Sequence, residues 1–341
     1  MDKTSNIKHH TSEKPRFSVV VPLYNKAPYV RKALESIMSQ TYKDFDLIIV
    51  DDGSTDGSAT ICEEYLSTLY TIHRTPLKNI RLLSQPNSGV AAARNNGVKA
   101  SHGEYVCFLD ADDWWKASFL EEMDRLINEY HDAGLYATNY VYYKPGKTHV
   151  ALNLERGYMN YPDAYLHSDA MPVWTGAACM PRKVFDEMEG FPVGIKLGED
   201  FLLWAKTALH YKVAFCEKPF AYYNNDVPAS LRATRNLHAP EFSMYFHFDE
   251  IEEELRAKSQ EQRDVWTQLL DKLRLNGLMN YWLSDEYHEV AATELVKVDW
   301  SKQPKKVICM YKLPFWMLIA HKRFMQIGSY WKQKIISMMH K

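Results

Sequence analysis

The chain has 341 residues, 46% hydrophobic and 25% charged, with a formal net charge of −2, which is enough for a full core in one large domain plus an appendage. Five scattered cysteines, Cys62, Cys107, Cys179, Cys216 and Cys309, form no C-x-x-C pair, which argues against a disulfide framework or structural zinc and for a reducing, cytoplasmic setting. No run of apolar residues is long enough to span a bilayer; the best, Val307 to Ala320, is broken by Lys312 and Pro314.

Met1 to Pro15 is polar and has no signal-peptide core, so residues 1–15 are expected to be an arm outside the fold. Phe17 to Pro22 is then a buried strand, and Val30, Leu34, Ile37 and Met38 mark a helix. Phe45 to Val50 is a second strand, closed by Asp51-Asp52-Gly53-Ser54, and Ile61, Tyr65, Leu66 and Leu69 give the next helix. A third strand is predicted at Ile80 to Leu83, a helix over Val90 to Ala100, a fourth strand at Tyr105 to Leu109 and a helix along Phe119 to Tyr130. This alternation predicts an α/β fold, a mostly parallel sheet with helices on both faces. Pro145-Gly146 suggests a hairpin, and beyond Pro240 the pattern is helical.

The polar motifs fall at the carboxyl ends of these strands, where open α/β sheets bind ligands. Asp110-Ala111-Asp112-Asp113 offers hard oxygen ligands for Mg²⁺ or Mn²⁺, although alone it reads more readily as a solvated turn that caps the following helix. It is not an EF-hand, because Trp114 and Trp115 occupy ligand and glycine positions of such a loop. Asp52, closing the second strand, has a carboxylate for a base edge or ribose, or is simply turn chemistry. Asn87-Ser88-Gly89 precedes Arg94, which reads as a phosphate partner or a surface arginine. Glu199-Asp200 opens a helix, where acids suit the dipole and where one of them is a candidate general base. Pro22-Leu23-Tyr24-Asn25-Lys26 has neither the dinucleotide nor the P-loop glycines, which disfavours both those classes. The same gap argues against a nucleotidyltransferase.

Val19 to Asn25, Ile49 to Asp56, Asn87 to Gly89 with Ala93-Arg94-Asn95, Phe108 to Asp113, and Gly198-Glu199-Asp200 together resemble family 2 glycosyltransferases of the GT-A fold. The resemblance covers about residues 17 to 225. It implies a Rossmann-like GT-A domain, set at 16–235 by the boundary near residues 226 to 240, while the helical C-terminal region over 236–341 rests on the pattern beyond Pro240 alone. It implies an inverting transfer of a hexosyl or N-acetylhexosaminyl group from a nucleoside-diphosphate sugar, a UDP-sugar before others, to a saccharide or lipid-linked acceptor. It assigns Asp200 as the base, Asp112 and Asp110 to Mn²⁺ or Mg²⁺, and Asp52 to the nucleoside. Pro22, Tyr24, Asn25, Asn87, Gly89, Arg94, Ala111 and Glu199 join the donor site, and Trp174 and Gly176 the acceptor pocket. The loop after the last strand, which carries a His in many relatives, here reads Tyr222 to Asp226, with Ser230, Arg232 and His238 further on.

From Lys297 to Lys341 there are ten Lys or Arg against one acid, Asp299, interleaved with Phe315, Trp316, Phe324, Tyr330 and Trp331. Such a tail suits peripheral contact with anionic lipid at the inner face of a membrane, or a helical cap with solvated lysines. No nucleic acid is expected as a partner. A non-catalytic GT-A-like scaffold is the alternative reading, and the full set of acids argues against it.

Overall fold

The computed structural model describes residues 14–73, 80–228, 237–313 and 317; most of the N-terminal arm and of the basic tail, with Ser230 and Arg232, lies outside them. Strand β1 (Phe17–Leu23) is buried along its whole length, as is β2 (Phe45–Asp51), the pattern of strands covered on both faces. The helices α1 (Val30–Met38) and α2 (Ser58–His73), strand β3 (Ile80–Ser84), helix α3 (Val90–Ala100), strand β4 (Tyr105–Phe108), the short strand β5 (Trp114–Trp115) and helix α4 (Phe119–Glu129) follow in turn. Then come β6 (Ala133–Lys144), β7 (Lys147–Val150), β8 (Gly157–Met159), α5 (Tyr161–His167), β9 (Ala178–Pro181), α6 (Arg182–Glu187), α7 (Glu199–His210) and β10 (Lys212–Asn224).

The sheet order is β3-β2-β1-β4-β9-β6-β10-β5, with β7 on β6 and β8 on β10. The first four strands are mutually parallel. Beyond β4 the sheet is mixed, since β9 runs antiparallel to both β4 and β6 while β6 and β10 are parallel. This mixture positions the site. Because β9 opposes β4, with Cys107 opposite Cys179, the start of β9 lies against the carboxyl end of β4. The same logic sets β5, antiparallel to the end of β10, beside the Asp110–Asp113 turn. Order reverses between β1 and β4, the place where open α/β sheets form their ligand crevice.

One compact unit runs to Leu269 and a second begins at Leu270, later than the 235/236 division read from sequence. The segment after Pro240 belongs to the first unit because Ser243 bridges Leu197 and Met244 packs where a side chain on Gly198 would stand. Two further helices are α8 (Asp249–Leu255) and α9 (Gln260–Gly277), the latter crossing the boundary. In the second unit the buried Arg274 pairs with Glu294 at 3.4 Å, and the Tyr311 hydroxyl donates to the Leu275 carbonyl at 2.6 Å. No helix among the described residues is long and apolar enough to cross a membrane.

Helix α3 lies so close to the sheet that a Cβ on Gly97 would stand 2.3 Å from Val20 Cγ1. Gly97→Ala is therefore expected to lower unfolding free energy by about 1–3 kcal/mol through overpacking, read as a shifted urea midpoint. An unchanged midpoint contradicts that close approach.

Candidate active site

The first two strand ends are stitched together by their loops. Asn25 takes a left-handed conformation, φ 50°, which asparagine tolerates better than most residues. Its Oδ1 accepts from Thr55 N at 2.8 Å, and Asn25 N donates to Ser54 Oγ at 3.1 Å. Lys26 N donates to Ser58 Oγ and Ala27 N to Asp56 Oδ2. Asp52 faces inward and accepts from Gln85 Nε2 at 2.7 Å, Ser88 N at 2.7 Å and Gly89 N at 2.8 Å. Its carboxylate thus holds the β3–α3 loop in place, a different use from the direct nucleoside contact expected of it. Asn87, in that loop, is exposed.

At the end of β4, Asp110 Oδ1 accepts from Arg94 Nη2 at 2.8 Å, and Arg94 Nη1 reaches Glu199 Oε1 at 2.8 Å. Arg94 is only 3% exposed, and its guanidinium also lies over the Phe191 ring at 5.0 Å. Arginine suits this position because its planar fork can serve two carboxylates at once. The side chain expected to meet a phosphate, or to be a surface arginine, is here buried and paired with two acids.

Glu199 and Asp200 occupy the first turn of α7, after Gly198 in the left-handed region, φ 82°. Asp200 Oδ2 accepts from Thr175 Oγ1 at 2.9 Å, and its Oδ1 accepts from Phe201 N at 2.8 Å. Burial pushes the Asp200 carboxyl above its ordinary value, against the pull of Arg94 and Thr175. Burial and the adjacent Asp200 charge push Glu199 up as well.

Asp112 Oδ2 lies 2.6 Å from Lys26 Nζ. Asp113 is buried and accepts from Asn224 N at 2.7 Å, fastening the turn to the end of β10. Burial, then the neighbouring carboxylates, hold Asp113 well above the carboxylate range; burial and the Asp110 charge raise Asp112 despite Lys26. This turn holds hard oxygen donors crowded enough to repel one another, with an ammonium already drawn onto one of them, and in chemical character that fits a divalent cation. Among the described residues no three His, Cys, Asp or Glu side chains converge as a ready-made cage.

A family model described as glycosyl transferase family 2 matches residues 18–188. The chain belongs to glycosyl transferase family 2. Within the family, Glycosyltransferase GlyA of Streptococcus pneumoniae is 42% identical over 115 residues, which are 34% of this chain and 15% of that protein. The Putative glycosyltransferase EpsH of Bacillus subtilis is 37% identical over 120 residues, 35% of this chain and 33% of that one. The Putative teichuronic acid biosynthesis glycosyltransferase TuaG of Bacillus subtilis is 39% identical over 119 residues, 35% and 44% of the two chains. The chain therefore spans less than half the length of these relatives. Among solved structures, S. aureus TarS 1-349 in complex with UDP-GlcNAc superposes with a TM-score of 0.67 at 21% identity, covering 86% of this chain and 82% of that one. That likeness shows the GT-A fold.

In this family 2 chain, the fold brings together Asp110, Glu199, Asp200 and Arg94, and Asp112 lies two residues along the Asp110 turn. Tyr24 is 46% exposed at the end of β1, whereas Pro22 and Ala111 are buried and offer the site only backbone. Trp174 and Gly176, expected in the acceptor pocket, are both buried. Trp174 is 5% exposed and packs on Tyr140 and Tyr223, and the Gly176 carbonyl accepts from Trp115 Nε1 at 2.6 Å. A Cβ on Gly176 would meet the Trp174 ring at 2.4 Å, so the pair is a buried wall that sets Thr175 beside Asp200. Lys26 and Gln85 were not singled out from sequence as contact residues, whereas Asp113 was read with the Asp110 turn and Thr175 with its neighbours Trp174 and Gly176. Lys26 had a visible signal, the cation directly after the Tyr24-Asn25 turn; Gln85 had none. A cavity of about 590 Å³ lies elsewhere, lined by Met188, Leu202, Lys206, Phe242, Ile251 and Glu254 among others, so cavity size does not mark this site.

Replacing Arg94 by Met leaves Glu199 and Asp110 without their cation. The expected loss is about 3–5 kcal/mol of stability, the range for breaking a buried pair from one side. Urea unfolding of Arg94→Met beside Arg94→Met/Glu199→Gln checks it, with part of the loss recovered in the double variant.

Proposed function

We propose that this chain is a metal-dependent, inverting glycosyltransferase that moves a hexosyl or N-acetylhexosaminyl group from a nucleoside-diphosphate sugar to a hydroxyl of a saccharide or lipid-linked acceptor. The observation that carries the reading is Asp200: a carboxylate raised by burial, oriented by Thr175, and joined through Glu199 and Arg94 to Asp110. A UDP-sugar is the preferred donor, because the TarS structure of matching fold holds UDP-GlcNAc. A role in cell-surface polysaccharide synthesis follows the teichuronic acid relative.

The chain's own residues divide the work. The loops stitched by Asn25, Ser54 and Asp52 take the nucleoside, with Tyr24 presenting an open ring face. Asp110 and Asp112 would hold Mn²⁺ or Mg²⁺, which when bound supplies Lewis-acid stabilisation of the departing diphosphate. Thr175 donates to one oxygen of Asp200 and the Phe201 amide to the other, leaving lone pairs that can accept the proton of the attacking hydroxyl. Arg94 fixes the distance between the donor acid Asp110 and the helix that carries the base, so that the two substrates are held in line.

Asp200→Asn is expected to cut transfer by about 10²–10⁴-fold, the typical contribution of a general base, while nucleoside diphosphate binding survives. Because the base acts deprotonated and its carboxyl is raised, activity should climb with pH through a limb lying above the ordinary aspartate range. Thr175→Val removes a bond that favours the carboxylate, so it should move the limb higher still. Full activity in Asp200→Asn removes Asp200 from this role.

A further inference from the structure

The reading above does not use the placement of Lys26. Its backbone is pinned on both sides: the amide donates to Ser58 Oγ at 2.8 Å, and the carbonyl accepts from Tyr29 N at 2.9 Å and Val30 N at 3.0 Å. The preceding Asn25 is locked in the left-handed region by its bond to Thr55. The side chain extends from this anchored backbone. It crosses from the β1–α1 loop to the β4 turn and sets its ammonium 2.6 Å from Asp112 Oδ2, with the two side chains 18% and 16% exposed. This is the carboxylate assigned to the metal.

The neighbouring cations are differently placed. Arg94 is divided between Asp110 and Glu199, and Lys32 lies on the Trp114 ring with Nζ 3.0 Å from its centroid. Lysine, unlike arginine, is a compact point charge on a flexible stem. An ammonium on Asp112 and a divalent cation on the same carboxylate repel one another strongly at such separations. A diphosphate, by contrast, attracts both.

We propose that Lys26 is an internal counter-cation that competes with the metal for Asp112 when no donor is bound and transfers to the donor's diphosphate when metal and nucleotide arrive together. Free Mn²⁺ is thereby held off, and metal and nucleotide load cooperatively. This rests on the assignment of Asp112 to the metal and adds to it a residue that controls the order of loading.

The test is a titration of Mn²⁺ alone against the full chain, followed by the electron paramagnetic resonance signal of the unbound ion, with UDP titrated separately in the presence of Mn²⁺. Lys26→Met is expected to bind free Mn²⁺ about ten-fold more tightly, given a unit charge removed from within ~4 Å, and to bind UDP more weakly in the presence of Mn²⁺. Lys26→Arg, which keeps the charge, should leave Mn²⁺ affinity near that of the parent. Lys26→Met/Asp112→Asn should lose the gain. Equal or weaker Mn²⁺ binding by Lys26→Met, or no detectable binding by either protein, overturns the proposal. If Asp112→Asn alone binds Mn²⁺ as the parent does, the metal assignment itself fails, a result distinct from failure of the Lys26 competition. Thermal unfolding of each variant separates these outcomes from misfolding.

Discussion

A guanidinium buried to 3% exposure has to be neutralised where it stands, and Arg94 is neutralised from two directions. Burying such a charge is costly unless carboxylates meet it with good geometry. Asp110 comes from the end of β4 and Glu199 from the start of α7, so one cation fixes the separation of the Asp110 turn and the helix that carries Asp200. Gly97 lets α3 lie against Val20, which sets the height of Arg94, three residues earlier on the same helix. Gly198 adopts the left-handed turn that points Glu199 and Asp200 at the site. The active-site geometry thus depends on a buried ion network and two close backbone approaches.

Around that network the acids fall into two groups. Asp52, Asp113 and Glu199 are buried and satisfied by protein donors, so they hold loops and helix ends in register. Asp110, Asp112 and Asp200 are more open to solvent, and these are the acids that the proposal gives to metal and substrate. Lys26 sits between the groups: its backbone belongs to the scaffold and its ammonium to the site. Substitutions within the first group should act through stability and positioning, and those within the second through chemistry or binding.

The first half of the fold was legible because its strands are continuous apolar runs and its helices show a clear apolar face; β1 to β4 and α1 to α4 lie within a residue or a few of where periodicity puts them. The second half was less so. Strand direction leaves no mark on composition, so the antiparallel β9 could not be read, and β5 has two residues. The site acids were legible as turn residues at strand ends, but their division of labour was not. Sequence shows that Asp52 and Arg94 are polar residues near a crevice; only packing shows that one accepts three protein hydrogen bonds and the other lies buried between two acids. Trp174 likewise came from the resemblance as a pocket-lining residue, and only packing shows that its ring fills the space that Gly176 leaves open.

Incubating the purified chain with a panel of nucleotide sugars, with and without Mn²⁺, and scoring release of nucleoside diphosphate tests the central claim most directly. The account predicts release from at least one donor, a UDP-sugar first, that depends on the divalent cation and is lost when chelator is added. A chain that folds yet binds and cleaves no nucleotide sugar under any of these conditions would contradict it.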